Sequence, residues 1–367
     1  MGKKIKTFTV NALAGANIVT VAVMLATGYA DHLSPAKLPL LEVMGMAFPL
    51  TLLLNLAFLV FWVVFAWRKV WIPIVGYALA YVPINIYMPL NPPRELQPDE
   101  GRVLKVVSYN VCGYGGNYKY KDGFERIVAY FDEQQPDIVC VQEDVDTWRH
   151  YALQAYQKVF AYNDTITFNK TSAHYNCVGI HTRFPIVRRE RIAYESKYNG
   201  SVAYYLDIGT DTLLVINNHL EATHLSAKER KSYQEMIKGQ VGRDTMRTES
   251  ANLAGKLSRA AVLRANQAEA VHDYIAQHSH YPTIVCGDLN DPPNSYTRRV
   301  VGQGLTDCFV EAGRGLGLSY NQKGFLFRID HLFCSSHFEP LDCRVDSKID
   351  FSDHYPLLCW LKFKDNY

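Results

Sequence analysis

Residues 283–290 read Thr283-Ile284-Val285-Cys286-Gly287-Asp288-Leu289-Asn290. The first four suit a short buried strand, and the run stops at a glycine followed by a carboxylate and an amide. An aspartate or asparagine in that place is often a plain turn residue. Here the arrangement recurs along the chain. Val106-Val107-Ser108-Tyr109 ends in Asn110, Ile138-Val139-Cys140-Val141 in Gln142-Glu143, and Leu213-Leu214-Val215-Ile216 in Asn217-Asn218-His219. Arg328-Ile329 leads to Asp330, and Phe351-Ser352 leads to Asp353-His354 just before another apolar run. If the strands pack as sheets, these polar ends meet at one rim, where an α/β protein usually builds its site. Asn217 reads as a turn residue within this set.

Outward from these runs, strand and helix patterns alternate. Helical spacing is predicted over 124–131, 148–159 and, longest, 252–278; strands are predicted over 178–181, 186–193, 202–208, 325–334 and 355–361. This order predicts two packed sheets flanked by helices. Arg264 and Gln267, one turn apart on the longest helix, read as contacts at the rim. All eight cysteines follow residue 90. None has zinc-ligand spacing, and those inside apolar runs read as small buried hydrophobes.

The series Ser-Tyr-Asn-Val (108–111), Val-Gln-Glu (141–143), Asn-His-Leu (218–220), Gly-Asp-Leu-Asn (287–290), Arg-Ile-Asp-His (328–331) and Ser-Asp-His-Tyr-Pro (352–356) resembles the endonuclease/exonuclease/phosphatase superfamily. That group includes DNase I-like nucleases, neutral sphingomyelinases and inositol polyphosphate 5-phosphatases. The resemblance covers about residues 102–364. It implies a four-layer α/β/β/α sandwich with two mixed sheets, and Mg²⁺ as cofactor, with Mn²⁺ or Ca²⁺ as alternatives. It also implies roles. Glu143 is the principal metal ligand, with Asn110 orienting it or touching the metal shell and Asp353 as a second contact. Asp330 pairs with His354, which contacts the scissile phosphate or assists proton transfer. Asp288 orients or deprotonates the attacking water, Asn290 holds phosphoryl oxygens, and His219 is the candidate acid for the leaving oxygen. The DNA-repair branch carries an acidic residue where this chain has Cys112, a poor Mg²⁺ ligand.

The N-terminal quarter has another character. Residues 1–90 hold Lys3, Lys4, Lys6, Lys37, Arg68 and Lys69 against Asp31 and Glu42, a net +4, which leaves −2 for the remainder of a chain whose total is +2. Charge-free runs cover 7–30, 43–67 and 70–93. Each exceeds the roughly 20 residues that cross a bilayer. They predict a transmembrane anchor over 1–93 with spans at about 8–30, 43–67 and 70–90, then a linker at 94–101 and a catalytic domain at 102–367. Asn11, Gly15 and Asn17 interrupt the first run, which also reads as a signal peptide. Basic residues favour the cytoplasmic side, so Lys3–Lys6, Arg68 and Lys69 stay inside and the catalytic domain lies outside the cytoplasm.

A 48% hydrophobic, 20% charged chain is not disordered, and a net charge of +2 excludes a nucleic-acid coat protein. The expected function is a multi-pass cell-membrane enzyme, a Mg-dependent hydrolase of a phosphomonoester or phosphodiester, with a lipid-linked substrate favoured by the anchor. An extracytoplasmic nuclease and a non-catalytic binding module are the alternatives, with nucleic acid the less favoured partner. Three spans before such a domain resemble the membrane branch associated with teicoplanin resistance, which implies an isoprenoid-lipid or cell-wall-precursor phosphate. Lys228, Arg230, Lys231, Lys238, Arg243 and Arg247 follow the His219 strand end and read either as a solvated face or as a basic lid over an anionic headgroup.

Overall fold

The computed structural model describes residues 2–94, 97, 101–114, 120–144, 149–168, 177–196, 198–209, 211–240, 242–322 and 325–364. Five helices come first: α1 (Gly2–Gly28), α2 (Pro39–Gly45), α3 (Phe48–Phe65), α4 (Trp71–Leu79) and α5 (Tyr81–Tyr87). The rest alternates: β1 (Val103–Asn110), α6 (Gly123–Gln134), β2 (Ile138–Asp144), α7 (Arg149–Tyr156), β3 (Tyr162–Thr167), β4 (Cys177–Thr182), β5 (Ile186–Ile192), β6 (Gly200–Asp207), β7 (Thr212–His219), α8 (Ala227–Ile237) and α9 (Arg243–Gln277). It closes with β8 (Thr283–Asp288), α10 (Tyr296–Val301), β9 (Thr306–Asp307), α11 (Cys308–Ala312), β10 (Tyr320–Gln322), β11 (Phe325–Phe327), β12 (Asp330–Cys334), β13 (Phe338–Val345) and β14 (Leu357–Phe363).

Two mixed six-stranded sheets form, ordered β13-β14-β1-β2-β4-β3 and β5-β6-β7-β8-β12-β9. Alternation along the strands decides the layers. Val106, Ile138, Cys140, Leu213, Val215, Ile284 and Cys286 point between the sheets. Val107, Val139 and Val141 face α6 and α7, and Leu214, Ile216 and Val285 face α9. Strands covered on both faces read as unbroken apolar runs, which is why the sequence shows them clearly. Each sheet has one parallel central pair, β1 with β2 and β7 with β8. Parallel neighbours end on the same side, so Asn110, Glu143, His219 and Asp288 share one rim.

Asn217 is not in a turn. It is a fully buried β7 residue that joins the two sheets. Its Oδ1 accepts from Gln142 Nε2 at 2.7 Å, and its Nδ2 donates to the carbonyls of Val141 and Gly179 at 3.0 and 2.8 Å.

In the N-terminal part, residues 7–28 and 48–65 form helices long and apolar enough to cross a membrane. Asn17, which weakens the first run on paper, lies buried between them. Its Nδ2 donates to Asn55, and its Oδ1 accepts from Trp62 Nε1 at 2.8 Å. Such interhelical bonds suit an apolar surrounding. The predicted third span is not one straight helix: α4 and α5 meet at a 60° bend. Pro83 has no N–H to give the Leu79 carbonyl; the Tyr29 hydroxyl donates to it instead, at 2.8 Å. The second predicted span is also shorter than its charge-free run, because residues 39–45 form the separate helix α2.

The N-terminal helices pack against the helices and loops of the catalytic part rather than hanging from a tether. Arg328, buried over the Phe309 ring, donates to the carbonyls of Ile86, Tyr87 and Leu316. Asn91 Nδ2 donates to the carbonyls of Val310 and Gly313. Helix α2 lies along α9, where Ser258 Oγ donates to the Pro39 carbonyl at 3.4 Å. Residues 30–32 lie against α10. Most of the predicted 94–101 linker is outside the described residues.

Candidate active site

The rim residues are held in uncommon backbone conformations. Glu143 sits at a register shift between β2 and β4 with φ 54°, and Cys112 and Asn290 have φ 45° and 54°. A bulge re-aims a side chain that a regular strand would send into the core or the helix layer. Left-handed non-glycine residues cluster at functional sites because the surrounding structure must hold them there. Gly287 has φ 131°, and a Cβ there would lie 2.0 Å from the Asn218 carbonyl oxygen. Only glycine lets β8 approach β7 closely enough to bring Asp288 level with His219.

All eight predicted site residues come together. Asn110 Nδ2 donates to Glu143 Oε1 at 3.1 Å and to Asp288 Oδ2 at 3.0 Å, so one amide aligns carboxylates from both sheets. His354 Nδ1 lies 2.7 Å from Asp330 Oδ2, and its Nε2 lies 3.7 Å from Asp288 Oδ2. His219 Nε2 is 3.7 Å from Glu143 Oε1 and 3.8 Å from Asp288 Oδ2, and it is buried without a hydrogen-bond partner. Ser352 Oγ donates to the Asn110 carbonyl at 2.7 Å, tying the Asp353–His354 turn to the end of β1. The Asn290 N–H donates to Asp288 Oδ1 and its Nδ2 to the Leu220 carbonyl, and its side chain lines the cleft.

The electrostatics separate the two histidines. Burial opposes charge on His354, but Asp330, Asp288 and Asp353 outweigh it and raise its pKa to about 10. Burial, aided by His354, lowers His219 to about 3. His354 therefore carries a proton at neutral pH and His219 does not. Burial lifts Asp288 to about 7, against the pull of His354 and Asn110. Burial and the charge of Asp353 raise Glu143, while Asn110 lowers it.

Among the described residues, one cluster of ligand-type atoms and one interacting carboxylate pair stand out. Asp288, Asp330 and His354 lie within 4.8 Å of one another. In that group the imidazolium already serves as the cation, and a doubly protonated ring offers no lone pair. Glu143 and Asp353 differ: they repel each other, and among the described residues neither has a lysine or arginine partner. Cys112 stands beside both as a neutral thiol, its pKa pushed up by burial and by the two carboxylates. A carboxylate pair with no lysine or arginine partner among the described residues, sharing only the His354 imidazolium with Asp288 and Asp330, fits a hard divalent ion that keeps several waters.

Sequence reasoning missed Tyr320. It bridges to His354, its ring 5.0 Å from the imidazole, and its hydroxyl accepts from Arg230 Nη1 at 3.0 Å. No motif marks it. Of the six basic residues at 228–247, Arg230 lines the cleft, while Lys228, Lys231, Lys238, Arg243 and Arg247 are exposed. Arg264 and Gln267 do act at the rim. Arg264 joins the Glu221 carbonyl to Asp291, and Gln267 holds the Glu221 N–H and the Glu195 carbonyl. His181 is a packing residue stacked on Tyr156, His224 is exposed at the cleft, and His174 lies outside the described residues.

Comparisons with known proteins bear on the fold and the family. No curated protein matches the chain. Residues 10–87 match a domain of unknown function. Sphingomyelinase C from Streptomyces griseocarneus superposes with a TM-score of 0.51 at 16% identity, covering 71% of this chain and 99% of that one. The human Nocturnin catalytic domain, solved with bound sulfate, gives 0.50 at 17%, covering 74% and 100%. An endonuclease/exonuclease/phosphatase from Beutenbergia cavernae gives 0.51 at 16%, covering 71% and 72%. At these identities the likeness concerns the fold. The sequence itself matches the family profile over residues 107–354, a stretch that contains every one of the rim residues, and the chain belongs to the endonuclease/exonuclease/phosphatase family.

Proposed function

We propose that the chain is a membrane-anchored, divalent-metal-dependent hydrolase of lipid-linked phosphate esters, acting outside the cytoplasm. The observation that carries this reading is the Glu143–Asp353 carboxylate pair, which has no lysine or arginine partner among the described residues and stands beside His219, Asp288 and His354 at a cleft that Met46 of the N-terminal part helps to line. Glu143 and Asp353 hold the ion, and Asn110 fixes the Glu143 carboxylate. Mg²⁺ there, or Mn²⁺ or Ca²⁺, supplies charge neutralisation of the phosphate. Asp288, held by Asn110 and the Asn290 N–H, orients the attacking water. Asp330 keeps His354 protonated, so His354 donates to a phosphoryl oxygen. Asn290 adds a contact from its free amide positions. His219, neutral, offers Nε2 to the leaving oxygen as a hydrogen-bond donor rather than as a standing acid.

The membrane reading rests on the two long apolar helices and on Asn17, whose bonds to Asn55 and Trp62 give the first helix a packing role that a cleaved leader would lack. Residues 30–32 contact α10, so the loop after α1 lies on the same side as the catalytic part. Two crossings separate that loop from residue 91, which is consistent with this arrangement. The basic Arg68–Lys69 turn then falls opposite, as the positive-inside bias requires. The test is a substrate panel: polyprenyl phosphates and phospholipids against single- and double-stranded DNA, with and without Mg²⁺. Faster cleavage of DNA would replace the lipid reading with a nuclease. A reporter fused after Pro93 that is active in the cytoplasm would overturn the orientation.

A further inference from the structure

The cleft has a polar end and an apolar end. The polar end is the carboxylate–histidine cluster with Arg230. The apolar end is walled by Leu225, Tyr233, Leu253, Leu257 and Ile329, and by Met46 from the N-terminal helical part. Met46 lies in the short turn between α2 and α3, one of the two helices long enough to span a bilayer. A Cβ at Gly45 would sit 3.5 Å from the Asn294 carbonyl, in the segment that follows Asp288 and Asn290, so this turn is pressed against the catalytic loop. On the other side of the same segment, Leu38, Leu40 and Met44 are exposed. Exposed apolar side chains next to a spanning helix belong at the lipid interface. On the proposed membrane reading, the apolar end of the cleft opens toward the lipid face that Leu38, Leu40 and Met44 present. A phosphate held at Arg230 and His354 directs the rest of its ester along this wall.

We infer that Met46, Leu253 and Leu257 form a recess for the first methylenes of the substrate's hydrocarbon chain, and that the recess selects amphiphilic phosphate esters entering from the bilayer. This rests on the proposed hydrolase, and it names its specificity residues. The anchor then contributes directly to substrate choice, beyond holding the enzyme near lipid.

The test uses the full chain in nanodiscs with Mg²⁺ and a series of p-nitrophenyl alkyl phosphodiesters from butyl to dodecyl. In the wild type kcat/KM should rise by about fourfold for each methylene held, then level off. Longer chains also partition into lipid, but that effect is common to wild type and variants. The dodecyl-to-butyl ratio in kcat/KM should fall about tenfold or more in Leu257→Gln and in Met46→Gln. A wild-type ratio in both variants overturns the recess. Calorimetric binding of dodecyl phosphate against inorganic phosphate separates this inference from the reading beneath it. Chain-dependent affinity that Leu257→Gln abolishes, without turnover of any ester, supports the recess and removes the hydrolase. Equal affinity for both phosphates in the wild type removes the recess even if turnover is normal.

Discussion

Replacing Asn217 by alanine should destabilise the protein well out of proportion to the three atoms removed. Its side chain accepts from Gln142 and donates to the Val141 and Gly179 carbonyls, all in the buried layer between the sheets. Each such bond contributes about 1 kcal/mol net, which gives about 3 kcal/mol for the set. Gln142 Nε2 keeps only long contacts, at 3.3 Å, to Ser108 Oγ and the Cys140 carbonyl. A small cavity adds to the loss, so about 3–5 kcal/mol is expected. For a domain of this size that lowers Tm by about 6–20 °C. Thermal unfolding of the full chain in detergent, followed by tryptophan fluorescence, reads it. The Gln142→Leu/Asn217→Ala double variant should lose less than the sum of the singles, by about 1 kcal/mol, because the two share a bond. Ester turnover should fall too, since Glu143 and His219 lie one and two residues beyond this clamp. A Tm within about 2 °C of wild type for Asn217→Ala would refute the idea that this amide holds the sheets, and with them the rim, in register.

Other perturbations address other joints. Arg328→Met removes the guanidinium that holds the end of α5 and should cost about 3–5 kcal/mol, with faster proteolysis near Asn91–Pro93; an unchanged cleavage rate would show that the anchor is held elsewhere. Arg230→Ala should raise KM for anionic esters about tenfold with little change in Tm, and Arg230→Lys should recover part of it; equal KM values would remove Arg230 from phosphate binding. His181 is buried and its pKa is lowered by that burial to about 3. The unfolded chain binds the proton first, so stability is complete above about pH 6.5 and is lost as pH falls toward 3, by up to about 1.4 kcal/mol per unit. His181→Phe should flatten the acid limb of a pH–Tm curve, and a limb as steep as wild type would assign acid sensitivity to other groups.

The strands and the residues that end them were legible because burial on both faces leaves unbroken apolar runs, and a polar residue at such an end stands out. The two helices long and apolar enough to cross a membrane were legible for the same reason. Other features depend on partners far away in the chain. A turn asparagine and an inter-sheet clamp look alike until Gln142 is placed opposite Asn217. Pro83 is compatible with a straight membrane helix or a bent one, and the choice here involves Tyr29, which sits more than fifty residues earlier and takes up the freed carbonyl. The positive φ at Glu143 follows from a bulge against β4, and no local pattern announces it. Tyr320 and Met46 reach the cleft only through tertiary packing. Arg328 sits in the motif that carries Asp330, yet two of its three carbonyl partners, Ile86 and Tyr87, belong to the N-terminal helices.

The central claim is that Glu143 and Asp353 hold a divalent ion that a phosphoester needs for cleavage. It is tested most directly by turnover of bis-p-nitrophenyl phosphate by the full chain, with Mg²⁺ titrated back after chelation, in wild type and Glu143→Gln. Wild-type activity should vanish with chelator and return with Mg²⁺. Glu143→Gln should lose most of it and require much more Mg²⁺ for what remains. Turnover that survives chelation, or a Glu143→Gln enzyme with the wild-type Mg²⁺ requirement, would contradict a metal-dependent site built on Glu143.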